Sequence, residues 1–282
     1  MDKVINLGIP HVAELIFESI NTPKLIKFLL VSETWRILAE NVLIKRIKKL
    51  NHKTFEALLW HACDNGREDV VQLLIDNYPN LNARDCQNDS GRTVLMTACK
   101  DGRRDVVQMI IDRLGPSIEL NARNNGGDTA FMMACSNGHK DIVELLMDYS
   151  NIDLYAKNND GKTAFRLAFA NGHKDVVQLL LDNSDPNIVL NARDKFGMTA
   201  LMEACRNGQK FGVPFLLNRL NPSMVNAKTY VGLTAFKMAC LNGHKGIVKL
   251  LLEYPGIEVS GLQLLPQEMR DFIEMYQLKK QK

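Results

Sequence analysis

The feature that most constrains this chain is an internal repeat. The segment Ala62-Cys-Asp-Asn-Gly-Arg-Glu-Asp-Val-Val-Gln-Leu-Leu74 returns as Ala98-Cys-Lys-Asp-Gly-Arg-Arg-Asp-Val-Val-Gln-Met-Ile110. The same line recurs at 134–146, 168–180, 204–216 and 239–251. Its anchoring glycines, Gly66, Gly102, Gly138, Gly172, Gly208 and Gly243, stand 34 to 36 residues apart. A fixed period of that length predicts stacked supersecondary units, each unable to bury its apolar face alone.

Each unit reads as two short helices. Thr93-Val-Leu-Met-Thr-Ala-Cys opens the first, with Thr93 placed as N-cap. Gly102 ends it, because a left-handed turn costs glycine little. Val106, Val107, Ile110 and Ile111 then draw an apolar stripe along the second helix. Between helix pairs run polar stretches such as Leu120-Asn-Ala-Arg-Asn-Asn-Gly-Gly-Asp-Thr129 and Leu190-Asn-Ala-Arg-Asp-Lys-Phe-Gly-Met-Thr199. An apolar anchor, a small residue and a glycine turn predict a hairpin loop projecting from the stack.

The totals remove several function classes. With 46% hydrophobic and 24% charged residues the chain has a folded balance. A net charge of +3 is too small to argue for a nucleic-acid partner, and no RNA-binding aromatic signature is present. No apolar run reaches the roughly 18–20 residues that span a bilayer. The N-terminus lacks a basic region followed by an apolar core, and the C-terminus lacks a prenylation cysteine. The expectation is a soluble, cytoplasmic protein with no membrane span.

Cysteine and histidine fit structural roles. Cys63, Cys99, Cys135, Cys205 and Cys240 share one repeat position with no CxxC pair, which disfavours zinc and predicts buried core thiols. Cys86, in a loop, is the thiol expected to be exposed, and unpaired thiols in this number suit a reducing compartment. His139, His173 and His244 also share one repeat position, with no nucleophile and orienting acid at a fixed spacing. Asp69, Asp105, Asp141 and Asp175 fall early in the second helices, where a carboxylate favours the positive end of the dipole. The sequence therefore predicts no catalytic residues, no metal site and no cofactor.

These residues carry a resemblance to the ankyrin repeat family. The finger ends Asn82-Ala83, Asn121-Ala122, Tyr155-Ala156, Asn191-Ala192 and Asn226-Ala227 match its pattern. So do the Gly-x-Thr starts at Gly91, Gly127, Gly161, Gly197 and Gly232, and the Gly-His pairs at Gly138, Gly172 and Gly243. The family's proline is replaced by Val94, Ala130, Ala164, Ala200 or Ala235, and its following histidine by Met96, Met132, Arg166, Met202 or Lys237. Helix propensity survives both changes. Pro214 falls in the first turn of its helix, where a missing N–H costs little.

The resemblance implies an all-α solenoid of six helix-turn-helix repeats with hairpin fingers over residues 53–256. An amphipathic helix (Leu262, Leu265, Met269, Phe272, Ile273, Tyr276) over 261–279 is expected to cap its end. It implies the bracing of loops by the three histidines. It also implies a concave face where fingertips and first helices bind another protein. In the second to fourth repeats that face is polar: Asn88, Asp89, Ser90, Arg92, Asn125, Asp128, Asn159, Asp160 and Lys162. The last two repeats offer Phe196, Met198, Tyr230, Val231, Leu233 and Leu241, with Arg206 beside them. Aromatics, Met and Arg are the types enriched in interface cores, so these seven are the expected substrate-binding residues. The alternative is that they pack against each other or the terminal helix.

Residues 5–48 do not fit the repeat. Ile9-Pro10, Glu14-Leu15-Ile16, Pro23-Lys-Leu25 and Leu30-Val31-Ser32-x-x-Trp35-Arg-x-Leu38-Ala39 resemble the F-box, with Leu7-Gly8-Ile9-Pro10 departing from the common Leu-Pro. That resemblance implies docking to the Skp-type adaptor of a cullin ubiquitin ligase through Ile9, Pro10, Leu15, Leu29, Leu30, Val31 and Trp35. The chain would then be a substrate receptor holding an unidentified protein on its repeats. The F-box-first order also resembles effectors that intracellular bacteria deliver into host cytosol. The alternative is an ankyrin scaffold or inhibitor with no ubiquitin link, its N-terminal helices serving only as a cap.

Overall fold

A computed structural model describes residues 59–60, 62–63, 68–77, 88–115 and 118–280. The F-box-like segment, Cys86 and the finger at Asn82-Ala83 lie outside the described residues.

Helices come in pairs. Residues 59–60 and 62–63 are helical in the first half of repeat one, and α1 (Glu68–Asn77) is its second helix. The following pairs are α2 (Val94–Lys100) with α3 (Arg104–Leu114), α4 (Ala130–Asn137) with α5 (Lys140–Met147), and α6 (Ala164–Ala170) with α7 (Lys174–Asp182). A short α8 (Pro186–Asn191) precedes α9 (Ala200–Arg206) and α10 (Gly212–Leu217). A single turn, α11 (Pro222–Val225), precedes α12 (Ala235–Leu241) and α13 (Lys245–Glu253). A 3₁₀ turn, Leu262–Leu264, leads to α14 (Gln267–Lys280). The described residues contain no strand element.

The first helices of repeats two to six start the same way. Thr93, Thr129, Thr163, Thr199 and Thr234 have extended backbones, and each hydroxyl accepts a bond from the N–H three residues on, at 3.2–3.4 Å. All five threonines are buried, and each cap contributes about 1 kcal/mol. First helices pack in one row (α2, α4, α6, α9, α12) and second helices in another (α1, α3, α5, α7). The core runs between the rows: Cys99, Cys135, Cys205 and Cys240 on the first, with Val106, Val107, Ile142, Val143 and Val248 on the second. Burial drives the thiols of Cys99, Cys135 and Cys205 well above their usual range, so they act as small core hydrophobes.

Histidines stitch neighbouring units. Nε2 of His139, His173 and His244 lies 2.8–3.0 Å from the carbonyls of Lys100, Ser136 and Arg206 in the preceding repeat. A carbonyl can only accept, so each Nε2 carries its proton.

One segment differs from the sequence expectation. Leu190 and Asn191 sit in α8 rather than in an extended finger. Asp185 caps that helix, accepting from Asn187 N at 2.8 Å, and Pro186 occupies its first turn with φ already suited to a helix. Asn221 and Pro222 do the same for α11. At the far end Leu265, Met269 and Ile273 are buried where α14 packs on α13.

Candidate functional site

The site begins with one backbone device. In successive fingers Asn88, Asn124, Asn158 and Asp194 each accept, on a side-chain oxygen, the N–H four residues on, closing the turn. Thr229 does this through its hydroxyl, accepting from Leu233 N at 3.1 Å. The turn glycines have positive φ, and the next finger lies directly on them: a Cβ at Gly197 would stand 3.0 Å from Tyr230 N. Backbone bonds join finger to finger, Asn125 N to Ser90 O, Asn159 N to Gly126 O, Lys195 N to Asp160 O and Tyr230 N to Phe196 O, at 2.9–3.3 Å.

Two of the polar fingertip residues expected to face a partner are committed to this ladder. Asn125 donates its side-chain N–H to Asp89 O and Asn159 donates to Asn125 O, at 3.0 and 2.9 Å. The equivalent positions later in the chain are Lys195 and Tyr230. The next positions along, Ser90, Gly126 and Asp160 in the early fingers, become Phe196 and Val231. The fingers thus change from self-bonded polar tips to apolar ones. Phe196 is 60%, Tyr230 73% and Val231 81% exposed.

All seven predicted substrate-binding residues border one hollow of about 330 Å³. Phe196, Tyr230 and Val231 form its finger wall, and Leu241 and Arg206, both exposed, come from the ends of α12 and α9. Met198 differs from expectation: it is buried and makes the floor with Met238, while Leu233 is half-buried. The floor placement follows from the turn, because Asp194 Oδ1 accepts both Phe196 N and Met198 N at 2.8 Å, sending Phe196 outward and Met198 inward. Lys195 and Arg206 are the charged lining residues. The Lys195 ammonium sits 5.2 Å from the Phe196 ring centroid and 2.5 Å from Asp160 Oδ1, and its hydrogen bond and charge hold the Asp160 carboxyl below the usual range. Arg206 has no carboxylate partner among the described residues; Nη1 approaches Met198 Sδ at 3.8 Å.

Beneath the finger of the fifth repeat lies a buried ion cluster, where the sequence predicts only a helix-compatible substitution. Arg166, 1% exposed, replaces the family histidine in α6. Its guanidinium donates to Glu203 Oε2 at 2.7 Å, Asp194 Oδ2 at 3.2 Å and Met198 O at 2.7 Å. Lys162 adds a 3.3 Å bond to Glu203. Burial works to raise the Glu203 carboxyl, but the Arg166 hydrogen bond and charge, with Lys162, leave it below its ordinary value. The signal was visible as a charged residue at a core register position with two acids at matching positions one repeat on.

The described residues hold no group of three His, Cys, Asp or Glu able to ligate a metal ion, and no helix long and apolar enough to cross a membrane. The hollow's chemistry is that of contact: aromatic faces, thioether floor and guanidinium rim.

Comparison with known proteins agrees with this architecture. The family model described as ankyrin repeats (3 copies) matches residues 16–124, 114–192 and 187–261. No curated protein matches the chain. Among solved structures, the ankyrin repeat domain of Bcl-3, titled a unique member of the IkappaB protein family, superposes with a TM-score of 0.64 at 24% identity, covering 77% of this chain and 97% of that one. The repeat, the capped helix pairs, the glycine-seated fingers and the family match together place this chain in the ankyrin repeat family.

Proposed function

We propose that the protein captures another protein in the groove walled by Phe196, Tyr230 and Val231 and rimmed by Arg206 and Leu241. As an ankyrin repeat chain it is a protein-interaction scaffold. The observation that carries the location is the switch from self-bonded to apolar fingertips, which leaves three large side chains uncovered around a Met floor. Such a patch on a rigid frame is the usual form of an interface core. Replacing Phe196 and Tyr230 together by Ala is expected to abolish partner capture from a cell extract by the full chain while leaving the urea midpoint unchanged. Retained capture would reject the groove.

We further propose that the captured protein is presented to a cullin ubiquitin ligase. Support comes from the pattern Leu30-Val31-Ser32-x-x-Trp35-Arg-x-Leu38-Ala39 and the upstream Ile9-Pro10. The contacts would be Ile9, Pro10, Leu15, Leu29, Leu30, Val31 and Trp35, and the setting would be the cytoplasm, that of a host cell if the chain is a secreted bacterial effector. The ankyrin match begins at residue 16, inside that segment, so this part rests on the residue pattern alone. A pull-down with purified Skp-type adaptor decides it: the wild-type chain should retain the adaptor and the Pro10→Ala, Trp35→Ala variant should not. Equal retention, or none by wild type, leaves the scaffold without a ubiquitin link.

A further inference from the structure

At three repeat junctions a histidine ring covers the turn glycine of the preceding unit. A Cβ at Gly102 would lie 2.7 Å from His139 Cε1, and one at Gly208 2.7 Å from His244 Cε1, while His173 covers Gly138 in the same way. Gly172 has nothing within 4 Å, because the next unit carries Gln209 where the units at those three junctions carry histidine. Four more departures meet at this junction. Phe169 stands where the other five units have cysteine. Phe211 replaces the acidic residue of the second helix's first turn, Gly212 replaces a core aliphatic, and Pro214-Phe215 follows. α7 and α10 pack less closely than the preceding second helices do, as do α10 and α13.

The result is a hollow of about 660 Å³ that shares no residue with the finger groove. It lies on the side of the second helices and their turns. Phe169, Phe211 and Phe215 supply its apolar surface. Phe169 and Phe215 have ring centroids 6.3 Å apart, and Gly212 is needed there because a Cβ would stand 2.8 Å from Phe169 Cζ. Phe211 is 83% exposed. A volume of this size falls in the range of formed binding pockets, roughly 300–1,000 Å³.

The charges around it are unequal. Lys174 and Lys210 line the rim, the Lys174 ammonium 5.6 Å from the Phe211 centroid, and just outside the lining the Arg219 guanidinium stacks 3.9 Å from the Phe215 centroid. None of the three has a carboxylate partner among the described residues; Arg219 bonds only Phe215 O and Gln178 Oε1. Asp175 is the single acid in the lining. Cations on aromatic faces leave their outer sides for anions.

We propose that this hollow is a second docking site, which takes a short acidic peptide segment of a partner protein, one aromatic or large aliphatic side chain entering among the phenylalanines and flanking carboxylates meeting Lys174, Lys210 and Arg219. The two sites face away from each other in the repeat, one on fingers and first helices and one on second helices, so the chain can hold two partners at once.

The test uses the full chain carrying Phe196→Ala and Tyr230→Ala, so that the finger groove is silent, and selects from a displayed library of random short peptides. The expected enrichment is an apolar side chain flanked by Asp or Glu. Synthesised peptides should bind about tenfold more weakly to the same chain with Phe211→Ser, and again with Lys174→Glu and Lys210→Glu. Gln209→His, which returns a ring over Gly172, should close the hollow and abolish binding without loss of thermal stability. No enrichment, enrichment without acidic preference, or binding unchanged by Phe211→Ser overturns the proposal. Self-association of the chain abolished by Phe211→Ser would make the occupant a second copy and also overturn it.

Discussion

At the residue scale, Arg166 sets the geometry of the finger groove from below. Its guanidinium ties α6 to Asp194 and Glu203 of the next unit, and Asp194 in turn fixes which way Phe196 and Met198 point. Removing one partner of a buried ion cluster leaves uncompensated charge, so Arg166→Met is expected to cost about 3–5 kcal/mol, read as a lowered urea midpoint. The cluster also predicts a pH response. Glu203 is held below its ordinary value of 4.5 in the folded chain. Its contribution is complete above that value, where both folded and unfolded chains are ionised. It is lost as pH falls from there through the depressed folded value. Thermal melts from neutral to acid pH should show this limb, and Glu203→Gln should flatten it at the expense of stability near neutrality.

At the scale of the element, what repeats is a turn and a cap rather than a helix. Gly102 and Gly172 have the same left-handed backbone, φ 74° and 79°, but only Gly102 lies under a histidine ring. Both alanine substitutions incur the left-handed strain of about 1–2 kcal/mol. Gly102→Ala must in addition displace His139 and its bond to Lys100 O, a further loss of about 1 kcal/mol. Differential scanning should therefore rank Gly102→Ala below Gly172→Ala. Equal melting temperatures would show that the ring over the glycine contributes nothing.

For the whole molecule, the stack is nearly one-dimensional: contacts join neighbours, and stability is a sum of units and their interfaces. The end units are then the weakest, and α14 shields the last of them with Leu265, Met269 and Ile273. Ile273, fully buried, is the critical side chain; Ile273→Ala is expected to cost about 2–5 kcal/mol locally. Amide exchange should accelerate in α12 and α13 and stay unchanged in α4 and α5. A uniform acceleration would mean that the stack unfolds as one body.

The repeat, the two-helix unit, the buried cysteines and the apolar character of the last two fingertips were legible in the sequence, while the burial of Met198 was not. Each depends on local pattern: a period, a cap, a turn glycine, an apolar residue where a neighbour has a polar one. Two further things were not. The fate of the polar fingertips depended on the stack, because Asn125 and Asn159 find their acceptors only when one finger is laid on the next. The Arg166 cluster and the hollow at Gly172 likewise exist only between units, where Arg166 meets acids from the following repeat and Gln209 fails to fill a slot made by the preceding one. Sequence decided what each unit is; the contact between units decided which side chains were consumed in holding the stack and which were left exposed.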